Sequence, residues 1–230
     1  VSKPAGMLSL RHPGDANWRQ QRRDLQPSLE ECLARLIAQR ENRRDSSTVE
    51  LLAVHRIDRE TSGALAFART ESSQIHLIEQ FAAHTSFRRY LCIVPGQVAP
   101  QTISSAFVRD RGDGVRGSSA DGIHGKRAVT HVKPLRRIAD YSELECQLET
   151  GRTNQIRIHL AELRHPICGD VKYRGPFLEP PIDDNSRAPR LALHAADLGF
   201  VHPKTEEKLK FSVPLPRDLQ QFIARLEKMR

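Results

Sequence analysis

A chain of 230 residues can bury one large core or two small ones. Its 36 Lys and Arg against 28 Asp and Glu give a net charge of +8 and a pI near 9.7, which suits a polyanionic partner, because each phosphate neutralised by a cation releases counterions. No apolar run approaches the roughly 18 residues of a membrane span and no signal-like segment opens the chain, which argues against a membrane protein and leads us to expect a cytoplasmic one.

Aromatic residues make up only 5%, so the core must be largely aliphatic. Cys32, Cys92, Cys146 and Cys168 form no C-x-x-C pair and have no zinc-finger histidine spacing; three lie in apolar periodic segments, as reduced core thiols do.

In chain order, VSKPAGMLSL predicts a Lys-Pro-Ala-Gly turn leading into a short strand. The polar stretch 18–26 predicts a loop. Ser28 and Glu31 stand at capping-box spacing, and Leu29, Cys32, Leu33, Leu36 and Ile37 follow with helical period. ENRRDSS then connects to the apolar run Leu51 to Val54, a buried strand ending just before HRIDRETSG. Asp58, Thr61 and Ser62 bond their own backbone readily and Gly63 tolerates positive φ, so this stretch is a sharp turn that aims Asp58 in a definite direction.

ALAFA reads as a second strand, antiparallel to the first. Thr70 can cap a helix carrying Ile75, Ile78, Phe81 and Ala82, and FRRYLCIVPG is another strand, stopped by Pro95 and Gly96. The glycine-rich, charged stretch from Arg109 to Lys126 is a loop, either an ordinary surface loop or one that orders on substrate. AVTHVKPL and ELECQL flank Tyr141 as an antiparallel hairpin. In LETGRTNQIRIHLAELRHPICGDVKY, Gly151 ends a strand, Thr153 can cap a helix, and Ile156, Leu160 and Leu163 supply its buried face. The Pro-rich PFLEPPIDDNSRAPR is a loop inside a domain, and Leu219, Phe222, Ile223 and Leu226 mark a final helix.

Several of these blocks resemble one family. HRIDRETSG is similar to the HRLD-x-x-TSG signature of the RluA-type RNA pseudouridine synthases, with Ile57 in the leucine position. SKPAG resembles their D-K-P-A-G block with Ser2 replacing the acidic residue, and FRRY their K-x-Y-x-A block with Arg88 in the lysine position. GRTNQIRIH resembles GRTHQIRVH with Asn154 for His, and HPICGDVKY resembles H-P-I-x-G-D-x-x-Y. LALHAADLGFVHP and KLKFSVPLP resemble the closing hairpin.

The resemblance implies an α+β fold, a mixed, mostly antiparallel sheet flanked by helices with a central RNA-binding cleft. It implies one catalytic domain over residues 1–230, without the S4 domain that many members carry ahead of it. The implied activity converts uridine to pseudouridine in structured RNA, ribosomal RNA slightly ahead of transfer RNA. No cofactor, metal or obligatory protein partner is implied, and a monomer is expected.

Residue by residue, Asp58 corresponds to the catalytic aspartate, Arg157 to the arginine that pairs with it, and Tyr90 to the tyrosine that stacks on the target base. A buried carboxylate alone would protonate, so a cation within roughly 4 to 6 Å suits Asp58. Thr61 belongs to the signature turn and is placed with the substrate-binding residues. Arg56, two residues before Asp58, either reaches into the space the base vacates or holds a phosphate. Arg152, Arg88 and Arg89 are expected along the phosphates. Leu191 and Leu193 serve as pocket floor or core. His55, His159 and His194 raise a metal site, which their lack of Asp, Glu or Cys at ligand spacing argues against. Two other classes remain at this point: a non-catalytic RNA-binding protein, and a glycosidase-like hydrolase using Glu60 or Asp170 as second carboxylate, although both are better explained as turn or structural residues.

Overall fold

Two units build the chain in the computed structural model, which describes residues 1–12, 14, 19, 21, 25–174, 178 and 180–229. The first comprises Val1–Ser86 and Leu198–Ser212; the second comprises Phe87–Asp197 and Val213–Arg230. The stretch 18–26, expected as a loop, lies largely outside the described residues.

In the first unit, β1 (Ser2–Lys3) pairs antiparallel with β3 (Ser62–Ala64), and β2 (Leu52–Ala53) pairs antiparallel with β4 (Phe67–Ala68), so the chain does turn back after HRIDRETSG. The opening strand precedes the Lys-Pro-Ala-Gly turn; the strand expected after it does not form. Helix α1 (Leu29–Arg40) starts as its sequence predicts. Ser28 Oγ accepts from the Glu31 backbone N–H while the Glu31 carboxylate accepts from the Ser28 N–H, at 3.3 and 2.9 Å. Leu36, counted with the apolar stripe, is 62% exposed.

Helix α2 (Glu71–Ala82) is capped by Thr70 as expected, and of the four apolar residues read onto it Phe81 is the one that packs against a core. Leu77 is 4% exposed and joins Val54 and Ala68 in a small core with Phe81 and Phe200 packed against it. Ile75 is 58% exposed, and Ile78 and Ala82 are exposed too. Two glutamines set this rotation. Gln74 Nε2 donates to Ala53 O at 2.8 Å, and Gln80 donates through Nε2 to Val201 O and accepts through Oε1 from Val201 N–H, both at 2.8 Å. Those bonds satisfy strand backbone that a helix turned onto Ile75 would leave unpaired.

The second unit is framed by long strands: β5 (Phe87–Pro95), β6 (Gln101–Val108), β7 (Gly117–Ser118), β8 (Lys126–Ile138), β9 (Tyr141–Leu148) and the first residues of β10 (Leu193–Val201), in the spatial order β10-β5-β9-β8-β6-β7. The pairings β5–β9, β9–β8, β8–β6 and β6–β7 are antiparallel. The predicted hairpin around Tyr141 closes through Ala139 at positive φ, and a register shift falls between Pro134 and Arg136, where proline has no N–H for the ladder. Residues 180–190 of the Pro-rich stretch fall inside this unit.

Helix α3 (Gln155–Glu162) is buried from Gln155 to Ala161. Asn154, not Thr153, is its N-cap, in the left-handed conformation at φ 59° and with no side-chain capping bond. Helix α4 (Arg217–Glu227) buries Leu219, Phe222, Ile223 and Leu226 as their spacing predicts. β11 (Lys208–Ser212) pairs with β10 in the expected closing hairpin. Cys92, Cys146 and Cys168 are buried free thiols, and no helix among the described residues is long and apolar enough to cross a membrane.

Candidate active site

The first unit holds Asp58 in a turn fixed on both sides. Thr61 N–H donates to Asp58 O at 3.1 Å, and Gly63 takes φ 119°, as the residue types predict. Before Asp58, Ile57 is buried; its N–H donates to Ser9 Oγ, and Ser9 Oγ–H donates to Ile57 O at 2.9 Å. After it, Arg59 is tied to the opening block: Gly6 N–H donates to Arg59 O and Arg59 Nε to Gly6 O, both at 2.9 Å. Lys3 completes the clamp. Its buried ammonium donates to Pro4 O, Met7 O and Arg59 O at 2.8, 2.7 and 2.9 Å, so all three donors of the cation find carbonyls. Asp58 is half-buried, Arg56 exposed and Thr61 buried.

The second unit holds Arg157 in a cage. Nε and Nη2 donate side-on to Asp170 Oδ2 and Oδ1 at 2.7 and 2.8 Å, and Nη1 donates to Asn154 Oδ1 at 3.2 Å. The guanidinium carbon lies 5.0 Å from the centre of the Tyr173 ring, whose hydroxyl accepts from Asn154 Nδ2 at 2.8 Å. Asp170 Oδ1 also accepts the Lys172 and Tyr173 N–H groups, at 2.9 and 3.0 Å. The Gln155 amide fastens the start of the helix: Oε1 accepts from Thr150 Oγ1 and Arg152 N–H, while Nε2 donates to Val129 O and Thr130 Oγ1. Tyr90 is buried in β5 opposite Cys146 of β9.

The family described as RNA pseudouridylate synthase matches residues 1–162. The chain belongs to that family. A Bacillus subtilis relative named as an uncharacterized RNA pseudouridine synthase is 42% identical over 177 residues, covering 76% of this chain and 55% of its own. The ribosomal large subunit pseudouridine synthase D of Xylella fastidiosa is 39% identical over 180 residues, covering 75% of this chain and 54% of its own. This chain thus spans about half the length of these relatives. The solved structure of human RNA pseudouridylate synthase domain containing 4 superposes with a TM-score of 0.72 at 21% identity over 98% of this chain and 88% of its own, which shows the shared fold.

Against the family's motifs, the arginines divide by their partners. Arg88 is buried: Nη2 donates to Glu149 O at 2.8 Å, and burial pulls its pKa below the usual value while Tyr90 opposes the shift. It holds the turn before Gly151 instead of facing solvent along a phosphate track. Arg89 is matched by carboxylates, Nε donating to Asp197 Oδ2 at 2.6 Å and Nη1 to Glu145 Oε2 at 3.4 Å, and Asp197 holds its pKa above the usual value. Arg152 is half-buried, with Nε donating to Arg127 O at 3.0 Å. Leu191 and Leu193 are buried.

The three histidines have structural partners. His55 Nε2 accepts from Ala66 N–H and its ring stacks on Phe81 at 4.5 Å. His159 lies between Thr130 Oγ1 and Ser105 Oγ, and burial lowers its pKa to about 4. His194 Nε2 donates to Val213 O. Among the described residues, no group of three or more His, Cys, Asp or Glu is placed to hold a metal. Lys3, Asn154, Gln155 and Tyr173 shape the surroundings of the Asp58 turn and of Arg157, and the motif reading left them without a role, although each lies in a quoted block. Asp170, read there as a turn residue, both forms a turn and grips Arg157.

Proposed function

We propose that this chain is the catalytic part of an RNA pseudouridine synthase that isomerises specific uridines in structured RNA, ribosomal RNA ahead of transfer RNA. The observation that carries the reading is the clamp on the Asp58 turn, in which bonds to Ile57 and Arg59 hold the carboxylate's backbone from either side. Such support suits a group that must meet a reacting atom in one geometry.

The target uridine leaves the RNA stack at a cost of a few kcal/mol, least in loops and strained segments. The C1′–N1 bond breaks, the uracil turns, and C1′ joins C5; the proton at C5 leaves to solvent and N1 takes one up, so the product is an isomer. Asp58 serves as the carboxylate, by attack at C1′ or C6 or by removing the 2′ proton. Arg157 is the cation that keeps a catalytic carboxylate ionised, and Tyr90 offers a ring face to the uracil. Thr61 supports the turn, while Arg56 and Arg152 meet the substrate. The names of the ribosomal relatives and the net charge of +8 support the RNA class. The protein acts as a monomer in the cytoplasm without cofactor or metal.

Release of tritium from RNA labelled at uracil C5 tests this, with ribosomal and transfer RNA prepared separately from cells lacking the protein. Release by the wild type and not by Asp58→Ala supports the reading. RNA binding without release overturns it in favour of a non-catalytic RNA-binding protein.

A further inference from the structure

We propose that Asp170 is a positioning residue of the reaction, holding Arg157 so that one edge of its guanidinium is presented to negative charge. This rests on the reading above, in which Arg157 serves the chemistry. A guanidinium is planar and offers a side edge, Nε with one Nη, and an end edge, the two Nη groups together. Asp170 takes the side edge with both carboxylate oxygens, at 2.7 and 2.8 Å. Asn154 takes one hydrogen of Nη1, and the Tyr173 ring lies against the guanidinium. Bidentate capture of one edge sets the direction of the opposite one, so the Nη1–Nη2 end points away from Asp170.

The carboxylate is itself immobilised. Asp170 is 2% exposed, and its Oδ1 accepts two backbone N–H groups of the turn that follows it. Asn154, which holds the left-handed position at the start of α3, spends its side chain on Arg157 and Tyr173 instead of capping its own helix. The fold has little to gain from this expense, because a buried ion pair is often no more stabilising than packed apolar residues. Orientation is what so many holds on one guanidinium provide.

The test is a double-mutant cycle on tritium release under single-turnover conditions, with RNA affinity and thermal unfolding followed alongside. Asp170→Asn keeps the shape and the bonds to the backbone but loses the bidentate charge. It is expected to slow release by about 100-fold, the scale of a misplaced catalytic group, with RNA affinity unchanged. In Arg157→Lys, the ammonium has no edge to orient, so adding Asp170→Asn should slow release little further. Losses that multiply in the double variant would mean that Asp170 acts through the fold alone and would overturn the proposal, as would wild-type release by Asp170→Asn. If Asp170→Asn does not fold, Asp170→Glu, which keeps the charge and shifts the guanidinium, decides in its place: slow release with intact binding supports the role, and an unchanged rate sinks it. Absence of release from the wild type would instead fault the proposed isomerisation.

Discussion

Arg88 Nη1 lies 2.7 Å from the point where a β-carbon on residue 151 would stand. A side chain at residue 151 would thus press on the end of a guanidinium that comes from a strand some sixty residues earlier in the chain and bonds Glu149 O. Gly151→Ala must shift Nη1, the end of a flexible side chain, while Nη2 carries the bond to Glu149 O. We expect a loss of about 1 kcal/mol in urea unfolding, the low end of overpacking, and a smaller loss when the same change is made in Arg88→Ala, where the obstacle is gone. Equal losses in both backgrounds would show that the close approach does not govern residue 151.

Lys3 has its ammonium inside the protein with three carbonyl partners. Lys3→Met keeps the length and removes the donors. Hydrogen bonds to a charged group contribute about 1.5–3 kcal/mol each, offset by the desolvation that methionine avoids, so a net loss of about 2 kcal/mol is expected. Because Arg59 O is one of the partners, the Asp58 turn should loosen, and amide exchange at Gly6, whose N–H bonds that same carbonyl, should quicken more than exchange in α2. Uniform quickening across the unit would argue against a local clamp.

His159 is neutral in the folded protein, its pKa lowered by burial to about 4 from an ordinary 6.5. Between those values the unfolded chain binds the extra proton and the folded one does not. Stability should therefore fall as the pH drops from 6.5 toward 4, by up to about 3 kcal/mol from this group, and should be unaffected by it above 6.5. His194, also lowered by burial, adds in the same direction. His159→Gln should flatten the dependence by up to one proton in denaturant titrations across that range; an unchanged slope would contradict the assignment.

The rotation of α2 can be read by two substitutions. Leu77→Ala should cost about 2–5 kcal/mol, as removal of a buried leucine does. Ile75→Lys, on the exposed side, should stay within about 0.5 kcal/mol of the wild type. The opposite ranking in thermal unfolding would put Ile75 on the buried side of α2.

What the sequence by itself determined was whatever neighbours within a few residues decide. The Ser28–Glu31 capping box, the Thr70 cap, the turn from Asp58 to Gly63, the strand at Phe87–Pro95 and the apolar stripe of α4 all depend on contacts inside one turn or one period. The motif blocks, read together, also pointed to the family and to Asp58, Tyr90 and Arg157. Tertiary structure decided the rest, because it concerns partners that the chain brings from afar. The sequence placed Ile75, Ile78, Phe81 and Ala82 on α2 without deciding which side faces inward; the backbone groups of Ala53 and Val201, reached by Gln74 and Gln80, fix the side that carries Leu77. Read beside the family's motifs, Arg88 and Arg89 were expected along the phosphates; Glu149, Asp197 and Glu145 gave them protein partners. Asp170 looked like a turn residue, and it is one. That it also grips Arg157 follows from the bend that returns the chain after α3, which places a carboxylate beside a guanidinium thirteen residues away.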